Sequence, residues 1–171
     1  MPDEFDHPNL SPSDAVVALR SFPRRFRGVL ATDDGDDPQG VAMRRPDPAG
    51  WSALEHAAHV ANALDQAAAD LQAAHRDEGV TVADPAQAPT TGATDVDDTL
   101  SRVTTASDQL VAAIERFNPD DWKRTVRAPD GRTVNALWIV QAAVQEGARH
   151  LRQAEQVIAQ VKGRSVGDDD E

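Results

Sequence analysis

The feature that most constrains the fold is the spacing of apolar residues, which recur every three or four positions along four long segments of the chain. That spacing puts the apolar residues on one face of an α-helix, and no stretch of useful length alternates as a half-buried β-strand does. The four segments cover residues 14–30, 52–77, 95–117 and 133–162. Helices of this kind bury their apolar faces by packing around one axis. The sequence therefore predicts an all-α four-helix bundle with long connecting loops.

Residues that start and stop helices support these bounds. Ser52 is a typical N-cap, and Glu55 stands three residues later in the position that completes a capping box. Pro23 falls inside the first segment and is expected to kink or break it. Residues 127–131 carry turn-forming types and predict a loop or hairpin-like excursion before the last helix. Short extra helices are expected in the connections at residues 32–50 and 80–93.

The domain organisation follows from length and from the two ends of the chain. A length of 171 residues is usual for one domain, and we place that domain at residues 14–163. Residues 1–13 are expected to form a flexible N-terminal tail, and residues 164–171 a disordered acidic tail. The acidic run at 33–37 is interpreted as a solvated connector, with a lid as the alternative.

Composition excludes several classes of function. The chain has 17 basic and 29 acidic residues and a net charge of −12, which opposes binding to nucleic acid and to anionic membranes. It has no cysteine, so any metal ligands must be histidine, carboxylate or water. The N-terminus is acidic and no apolar run reaches the ~18 residues of a membrane span, so we expect a cytoplasmic protein. Scarce lysine beside abundant alanine and arginine indicates a high-GC, for instance actinobacterial, genome.

Polar residues interrupt an apolar stripe in the middle of the last helix. The stripe consists of Ile139, Ala143, Glu146, His150, Gln153 and Val157. Glu146 and His150 are four positions apart and project from the same face of the helix. Polar groups in a buried stripe need partners, and a divalent ion would satisfy both of these.

The second predicted helix shows a similar arrangement, because His56 and His59 lie beside its apolar seam. Imidazole and carboxylate ligands suit zinc, nickel or ferrous iron, and three protein ligands leave positions open for water or substrate. Two other interpretations stay open. The histidines can be hydrogen-bonded core residues, and Glu146 with His150 can be an exposed pair that stabilises the helix.

Several segments resemble the DinB-like family of four-helix bundles, which includes thiol-dependent S-transferases and a mycothiol-dependent maleylpyruvate isomerase. Residues 19–27 are similar to the first helix of that family, and residues 51–60, WSALEHAAHV, to the second. Residues 133–137 and 146–153, the latter EGARHLRQ, are similar to the last helix. The resemblance covers most of the chain and implies an up-down-down-up arrangement of the helices.

The resemblance also implies a metal site. In the family, the histidine eight residues after the tryptophan that opens the second helix is a ligand, and here that residue is His59. Two further ligands stand four positions apart on the last helix, which gives Glu146 and His150. The family usually has histidine where Glu146 stands, so the implied set is two histidines and one glutamate. His56, Arg149 and Gln153 are the candidates for orienting these ligands or a substrate.

Two classes of function follow from these expectations. The first is a metal-dependent enzyme, in its most specific form an S-transferase or isomerase that uses a low-molecular-weight thiol as cosubstrate and acts on a small molecule. No catalytic residue beyond the ligands is assigned. The alternative is a non-catalytic helical stress or binding protein with a degenerate metal site, for which a homodimer is kept open. An accessory protein that holds an apolar small molecule in its core is a third version.

Overall fold

Four long helices make up most of the chain. The computed structural model describes residues 10–31 and 38–167. Its α-helices are α1 (Pro12–Leu30), α2 (Pro38–Met43), α3 (Ala53–Arg76), α4 (Val96–Glu115) and α5 (Leu137–Gly167). Two short strands, β1 (Thr125–Arg127) and β2 (Thr133–Asn135), pair antiparallel with Val126 opposite Val134. Single 3₁₀ turns occupy Pro85–Gln87 and Asp121–Lys123. The predicted four-helix bundle is confirmed, including short extra helices in two of the connections.

Helices α1 and α5 are neighbours that run in the same direction. The side-chain amide of Gln141, near the start of α5, donates a hydrogen bond to the carbonyl of Leu10, just before α1. Further along both helices, the ring of Phe22 lies directly against Gly147. Because early residues meet early residues and later ones meet later ones, the two helices are parallel.

Helices α3 and α4 form a second parallel pair that runs the opposite way. Arg102 in α4 reaches Asn62 in α3, and their C-terminal ends meet near His75 and Phe117. The contacts between α3 and α5 are antiparallel: His59 meets His150, whereas Ala67 and Ile139 line one small cleft. The order along the chain is therefore up-down-down-up, as the family resemblance implied.

This topology makes the connection between α3 and α4 a long one. Since α3 and α4 are parallel neighbours, residues 77–95 must return along the bundle from the end of α3 to the start of α4. We call this segment the crossover. The amide of Ala83 donates to Asp70 of α3 at 3.0 Å, and the carbonyl of Ala88 reaches His59 near the other end of that helix. The crossover therefore packs on the helix that carries the two histidines predicted for the site.

The bundle core consists of aliphatic and phenylalanine side chains from all four long helices. Its largest fully buried members include Leu19, Phe22, Phe26, Leu64, Leu110 and Leu151. Helix α3 contributes many alanines, which allow its neighbours to approach closely, and most of its residues are buried. None of the described helices is both long enough and apolar enough to cross a membrane.

Three predicted features of the helices differ in the structure. The last helix begins at Leu137, not at 133, because Thr133 to Asn135 pair with β1 and Gly131 turns the chain with φ +90°. It continues to Gly167, past the predicted end at 163, since a glycine weakens a helix by only about 1 kcal/mol and no proline follows. Helix α1 continues through Pro23, so the break that the sequence allowed there does not occur. The buried Phe22 and Phe26 lie on either side of the proline.

The tails predicted at the two ends are only partly within the described residues. Residues 1–9 and 168–171 lie outside them, and so does the acidic run at 33–37. Of the predicted N-terminal tail, Leu10 packs against the core and Ser11 caps α1 through its side chain, which accepts from the amide of Asp14. The bundle therefore starts before residue 14.

A substitution at Gly147 would test how closely α1 and α5 pack. A Cβ at this position would lie 2.6 Å from Cε2 of Phe22, whose ring is buried, so we expect Gly147→Ala to lower the free energy of unfolding by about 1–3 kcal/mol. Gly28→Ala is the matched control, because nothing lies within 4 Å of a Cβ there and alanine should stabilise α1 by up to about 1 kcal/mol. Urea unfolding measures both, and equal effects of the two substitutions would contradict this packing.

Candidate metal centre

The start of α3 is fixed by a network of side-chain caps. The hydroxyl of Ser52 accepts from the amide of Glu55, and the carboxylate of Glu55 accepts from the amide of Ser52, which completes the predicted capping box. Arg45 then binds both oxygens of Glu55, at 2.8 and 2.9 Å. Because the first turn is held in this way, His56 and His59 project from a rigid part of the helix.

His59 is completely buried and both of its ring nitrogens have partners. Nδ1 lies 2.7 Å from the carbonyl oxygen of Ala88 in the crossover. Nε2 lies 2.9 Å from Oε1 of Glu146 in α5. The imidazole therefore bridges the crossover on one side and the last helix on the other, and its orientation is fixed by both.

Glu146 and His150 stand one turn apart on α5 and face the same point. Nε2 of His150 lies 2.8 Å from the same carboxylate oxygen, Oε1, that faces His59. One ligand atom from each of the three residues lies within 4.8 Å of the other two, and all three residues are buried. The structure thus brings together the three residues that the resemblance implied as ligands. It contradicts the alternative in which Glu146 and His150 form an exposed pair, because they are only 4% and 8% exposed.

The positions of protons around His59 decide what the cluster can hold. The carbonyl of Ala88 has only lone pairs, so Nδ1 of His59 must carry the hydrogen that joins them. A neutral His59 then presents a lone pair on Nε2 to a carboxylate oxygen 2.9 Å away, and two lone pairs at that distance repel. Either a second proton on His59 or a metal cation removes the repulsion. The chemistry of the donor set therefore fits a divalent cation.

The carboxylate of Glu146 is held in its charged form. Burial by itself raises the pKa of Glu146. The contacts of Oε1 with His150 and His59, which are hydrogen bonds when Nε2 of the ring is protonated, and the charges of His150 and Arg149 outweigh burial and lower the pKa to about 2. The guanidinium of Arg149 lies 3.6 Å from Oε2, the oxygen that does not face the histidines. Glu146 is consequently an anionic ligand candidate, with one oxygen directed at the cluster and the other at Arg149.

His56 supports His150 from the opposite side. The two Nδ1 atoms lie 2.8 Å apart, so one ring donates to the other. Burial, together with the nearby His150 and His59, lowers the pKa of His56 to about 4. A neutral His56 can accept the Nδ1 hydrogen of His150, which leaves Nε2 of His150 with a lone pair directed at the cluster.

Trp51 covers the cluster. Its ring lies 5.2 Å from the ring of His56, 5.2 Å from that of His59 and 5.6 Å from that of His150. Trp51 therefore packs at the start of α3 and contacts the rings of three histidines of the site. The signal was in the sequence: Trp51 precedes the N-cap and His56 is the fourth helical residue, and these are the two positions of a hydrophobic staple.

The three residues predicted to orient the ligands or a substrate differ in their contacts with the cluster. Arg149 contacts Glu146, and His56 contacts His150. Gln153 is partly buried on the same helix, but within the described residues no hydrogen bond or ion pair joins it to the cluster. The carbonyl of Ala88 is a partner that sequence reasoning missed. Every residue has a backbone carbonyl, so the sequence cannot mark the one that contacts His59, and only the folded structure shows this contact.

A sequence profile of the DinB superfamily matches residues 18–154. The chain belongs to the DinB superfamily. The profile match spans the segments that make up the cluster, from the first turns of α3 to Glu146 and His150. No curated protein matches the chain.

Two solved structures have the same fold. YfiT from Bacillus subtilis, described as a probable metal-dependent hydrolase with an unusual four-helix bundle topology, is 13% identical with a TM-score of 0.65, over 91% of this chain and 87% of that one. TT2238, a four-helix bundle protein, is 20% identical with a TM-score of 0.63, over 85% of this chain and 99% of that one. At these identities the likeness shows the fold alone, and the function of this DinB protein has to be argued from its own residues.

His56 makes the stability of the metal-free protein depend on pH. Its pKa is about 4 in the fold and about 6.5 when unfolded, so the unfolded chain binds the extra proton between these values. The stabilisation is complete above pH 6.5 and is lost as pH falls towards 4. We expect the metal-free protein to lose about 1–2 kcal/mol of unfolding free energy between about pH 7.5 and 5 through this group, after allowance for solvent screening.

Urea unfolding at the two pH values, compared between the parent and His56→Gln, measures this contribution. The variant should be less stable at neutral pH, because the contact with His150 is weakened, and should lose less stability on acidification. Equal losses in the two proteins would show that His56 does not titrate in the expected range.

Proposed function

We propose that this protein is a metal-dependent enzyme whose divalent ion is held by Nε2 of His59, Nε2 of His150 and Oε1 of Glu146. One observation carries the proposal: two buried imidazole nitrogens face the same carboxylate oxygen at 2.9 and 2.8 Å, and the carbonyl of Ala88 fixes the proton of His59 on the other nitrogen. A cation at this point would turn a repulsion between lone pairs into three coordination bonds.

The ligand set narrows the choice of metal. Two imidazoles and one carboxylate suit zinc, nickel or ferrous iron, and three protein ligands leave at least one position for an exogenous molecule. A calcium or magnesium site would use oxygen ligands, whereas two of the three groups here are nitrogens. We therefore expect zinc, nickel or iron.

The charge of the site favours an anion in the open position. A divalent cation brings two positive charges, Glu146 neutralises one of them, and Arg149, 3.6 Å from that carboxylate, adds another. Because the ligands are buried, this excess of positive charge is poorly screened by water. The metal, when bound, would lower the pKa of a coordinated thiol or water and so stabilise its anion at neutral pH.

Residues of this chain set up the surroundings for that chemistry. His56 holds Nδ1 of His150, and Ala88 holds Nδ1 of His59, so both Nε2 lone pairs are directed at one point. The indole of Trp51 covers the three histidine rings and limits the access of water to them. Arg149 orients the second oxygen of Glu146 and is itself 38% exposed, which places a cation at the edge of the site.

The most specific version of the proposal is transfer or isomerisation that uses a low-molecular-weight thiol as cosubstrate. The chain has no cysteine of its own, so a thiol nucleophile would have to be brought in, and the resemblance to thiol-dependent relatives supports this. The description of YfiT as a metal-dependent hydrolase supports the competing version, in which water is the nucleophile. A small organic substrate, a cytoplasmic location and the absence of nucleic-acid and membrane partners remain expectations of the sequence.

A non-catalytic binding protein is the second candidate, and one observation favours it. Nε2 of His59 lies 2.9 Å from Oε1 of Glu146, and a second proton on His59 would turn this contact into an ion pair that needs no metal. A protein that uses only this pair would hold no metal. Purification without an affinity tag and metal analysis by mass spectrometry separates the two candidates, because the enzyme proposal expects one ion per chain.

Metal binding should stabilise the parent and not its ligand variants. At a free ion concentration of about 100 times Kd, binding contributes about 2.7 kcal/mol, which corresponds to a rise in Tm of about 5–10 °C for a chain of this size. His150→Ala and Glu146→Gln each remove a ligand and should abolish most of that rise with zinc or nickel. Thermal melts with and without the ion, after treatment with a chelator, are the measurement.

His75→Ala is the matched control for these variants. His75 pairs with Asp121 near the C-terminal end of α3, away from the cluster, so its removal should leave the metal-dependent rise in Tm unchanged. A parent whose Tm does not respond to any of the three metals would contradict the enzyme proposal. A response that His150→Ala and Glu146→Gln retain would place the metal elsewhere.

A further inference from the structure

A side-chain clamp holds the crossover beside His59. The amide nitrogen of Asn62 donates to two backbone carbonyls of the crossover, those of Pro89 at 2.9 Å and Thr91 at 3.1 Å. Arg102 of α4 donates to Oδ1 of Asn62 at 2.6 Å and to the carbonyl of Thr91 at 3.1 Å. The clamp, Asn62 with Arg102, therefore ties together α3, α4 and the crossover.

The backbone of the crossover is shaped to accept this clamp. Gly92 has φ +91°, a conformation that favours glycine, and a Cβ built on it would overlap the guanidinium of Arg102. The arginine thus lies directly over the backbone next to Thr91. Because glycine is needed both for its φ and for this close approach, the conformation of residues 89–92 and the position of Arg102 depend on each other.

The clamp is mechanically linked to the carbonyl that holds His59. Asn62 follows His59 by one turn, so both side chains reach the crossover from the same face of α3. Pro89 joins the clamped segment to Ala88, its ring fixes φ, and the residue before a proline is restricted to extended backbone. Since few torsions separate the held carbonyl of Pro89 from that of Ala88, the clamp limits where the Ala88 carbonyl can point.

We propose that Asn62 and Arg102 are positioning residues for the metal site, acting through the crossover. By fixing the Ala88 carbonyl 2.7 Å from Nδ1 of His59, they keep a proton on Nδ1 and hold Nε2 towards Glu146. The effect of Asn62 and Arg102 on metal binding rests on the function proposed above. The effect on the proton of His59 exists without any metal and does not depend on that function.

Asn62→Asp is the sharpest variant for this proposal. Aspartate has nearly the same shape and can still accept from Arg102, but it replaces the donating amide by an oxygen that faces two carbonyl oxygens. Arg102→Lys is the milder second variant, because it keeps the charge but loses the forked geometry that reaches Asn62 and Thr91 together. Asp70→Ala is the matched control. It removes another anchor of the same crossover, the bond to the amide of Ala83, but at a site five residues before Ala88.

Two measurements on the full-length protein separate positioning from simple stabilisation. The first is the zinc dissociation constant by chelator competition, which we expect Asn62→Asp to raise by about tenfold or more and Arg102→Lys by less, with Asp70→Ala within about threefold of the parent. The second is nitrogen NMR of the metal-free protein, which reports whether Nδ1 of His59 carries a proton. Nδ1 should be fully protonated in the parent, where the Ala88 carbonyl accepts from it, and Asn62→Asp should show a fraction of molecules in which it is not.

Each outcome bears on the proposal. An Asn62→Asp variant whose zinc affinity changes no more than that of Asp70→Ala, and whose His59 still carries a full proton on Nδ1, overturns it. If Asn62→Asp does not fold, Arg102→Lys is compared with Asp70→Ala instead. The proposal then expects Arg102→Lys to raise the zinc dissociation constant by more than Asp70→Ala does, though by less than was expected of Asn62→Asp. If the parent itself binds no zinc, nickel or iron, the proposed function fails, and the NMR measurement alone then supports or overturns the role of the clamp.

Discussion

The contact between His59 and Glu146 is the interaction on which the rest of the site depends. It joins α3 to α5 inside the bundle, where a carboxylate that is only 4% exposed must have charged or donating partners to be tolerated. His59 and His150 meet one oxygen of Glu146, and Arg149 faces the other. Removing any single partner would leave a buried charge with too few contacts, which is more costly than never burying it.

The unusual order of the helices contributes directly to this contact. In a bundle in which every helix is antiparallel to the next, short loops connect neighbours and no backbone passes over the side of α3. Here α3 and α4 are parallel, so the crossover has to return along α3, and the carbonyl of Ala88 comes with it. The topology therefore supplies the partner that decides which nitrogen of the buried His59 is free. Fold and site chemistry are linked through this one segment.

The sequence predicted those features that depend on residues close together in the chain, namely the four helices and the N-terminal cap of α3. The periodicity of apolar residues gave the four helices, and Ser52 with Glu55 marked the start of α3, because a cap involves only residues within one turn. The start of α5 was misplaced, since Thr133 and Val134 suit a strand as well as a helix and only their pairing with β1 decides. The roles of Ala88, Asn62 and Arg102 could not be predicted, because they depend on where an irregular segment lies relative to distant helices.

Glu146 stands where the resemblance to DinB-like proteins implies that histidine is more common. Its surroundings are those expected if glutamate replaces histidine as a ligand under the function proposed above. A degenerate position would be expected to turn outwards or to lose its partners, whereas Glu146 is buried and two histidines face one of its oxygens. Arg149, one turn further on, lies 3.6 Å from the other oxygen of Glu146, which gives it a negative charge that a neutral histidine at position 146 would not supply. The charges of Glu146 and Arg149 therefore complement each other. With glutamate in place of histidine, the carboxylate would offset one of the two positive charges of a bound divalent ion. The guanidinium of Arg149 adds one positive charge at the exposed edge of the site, where an anion that enters the site would meet it first.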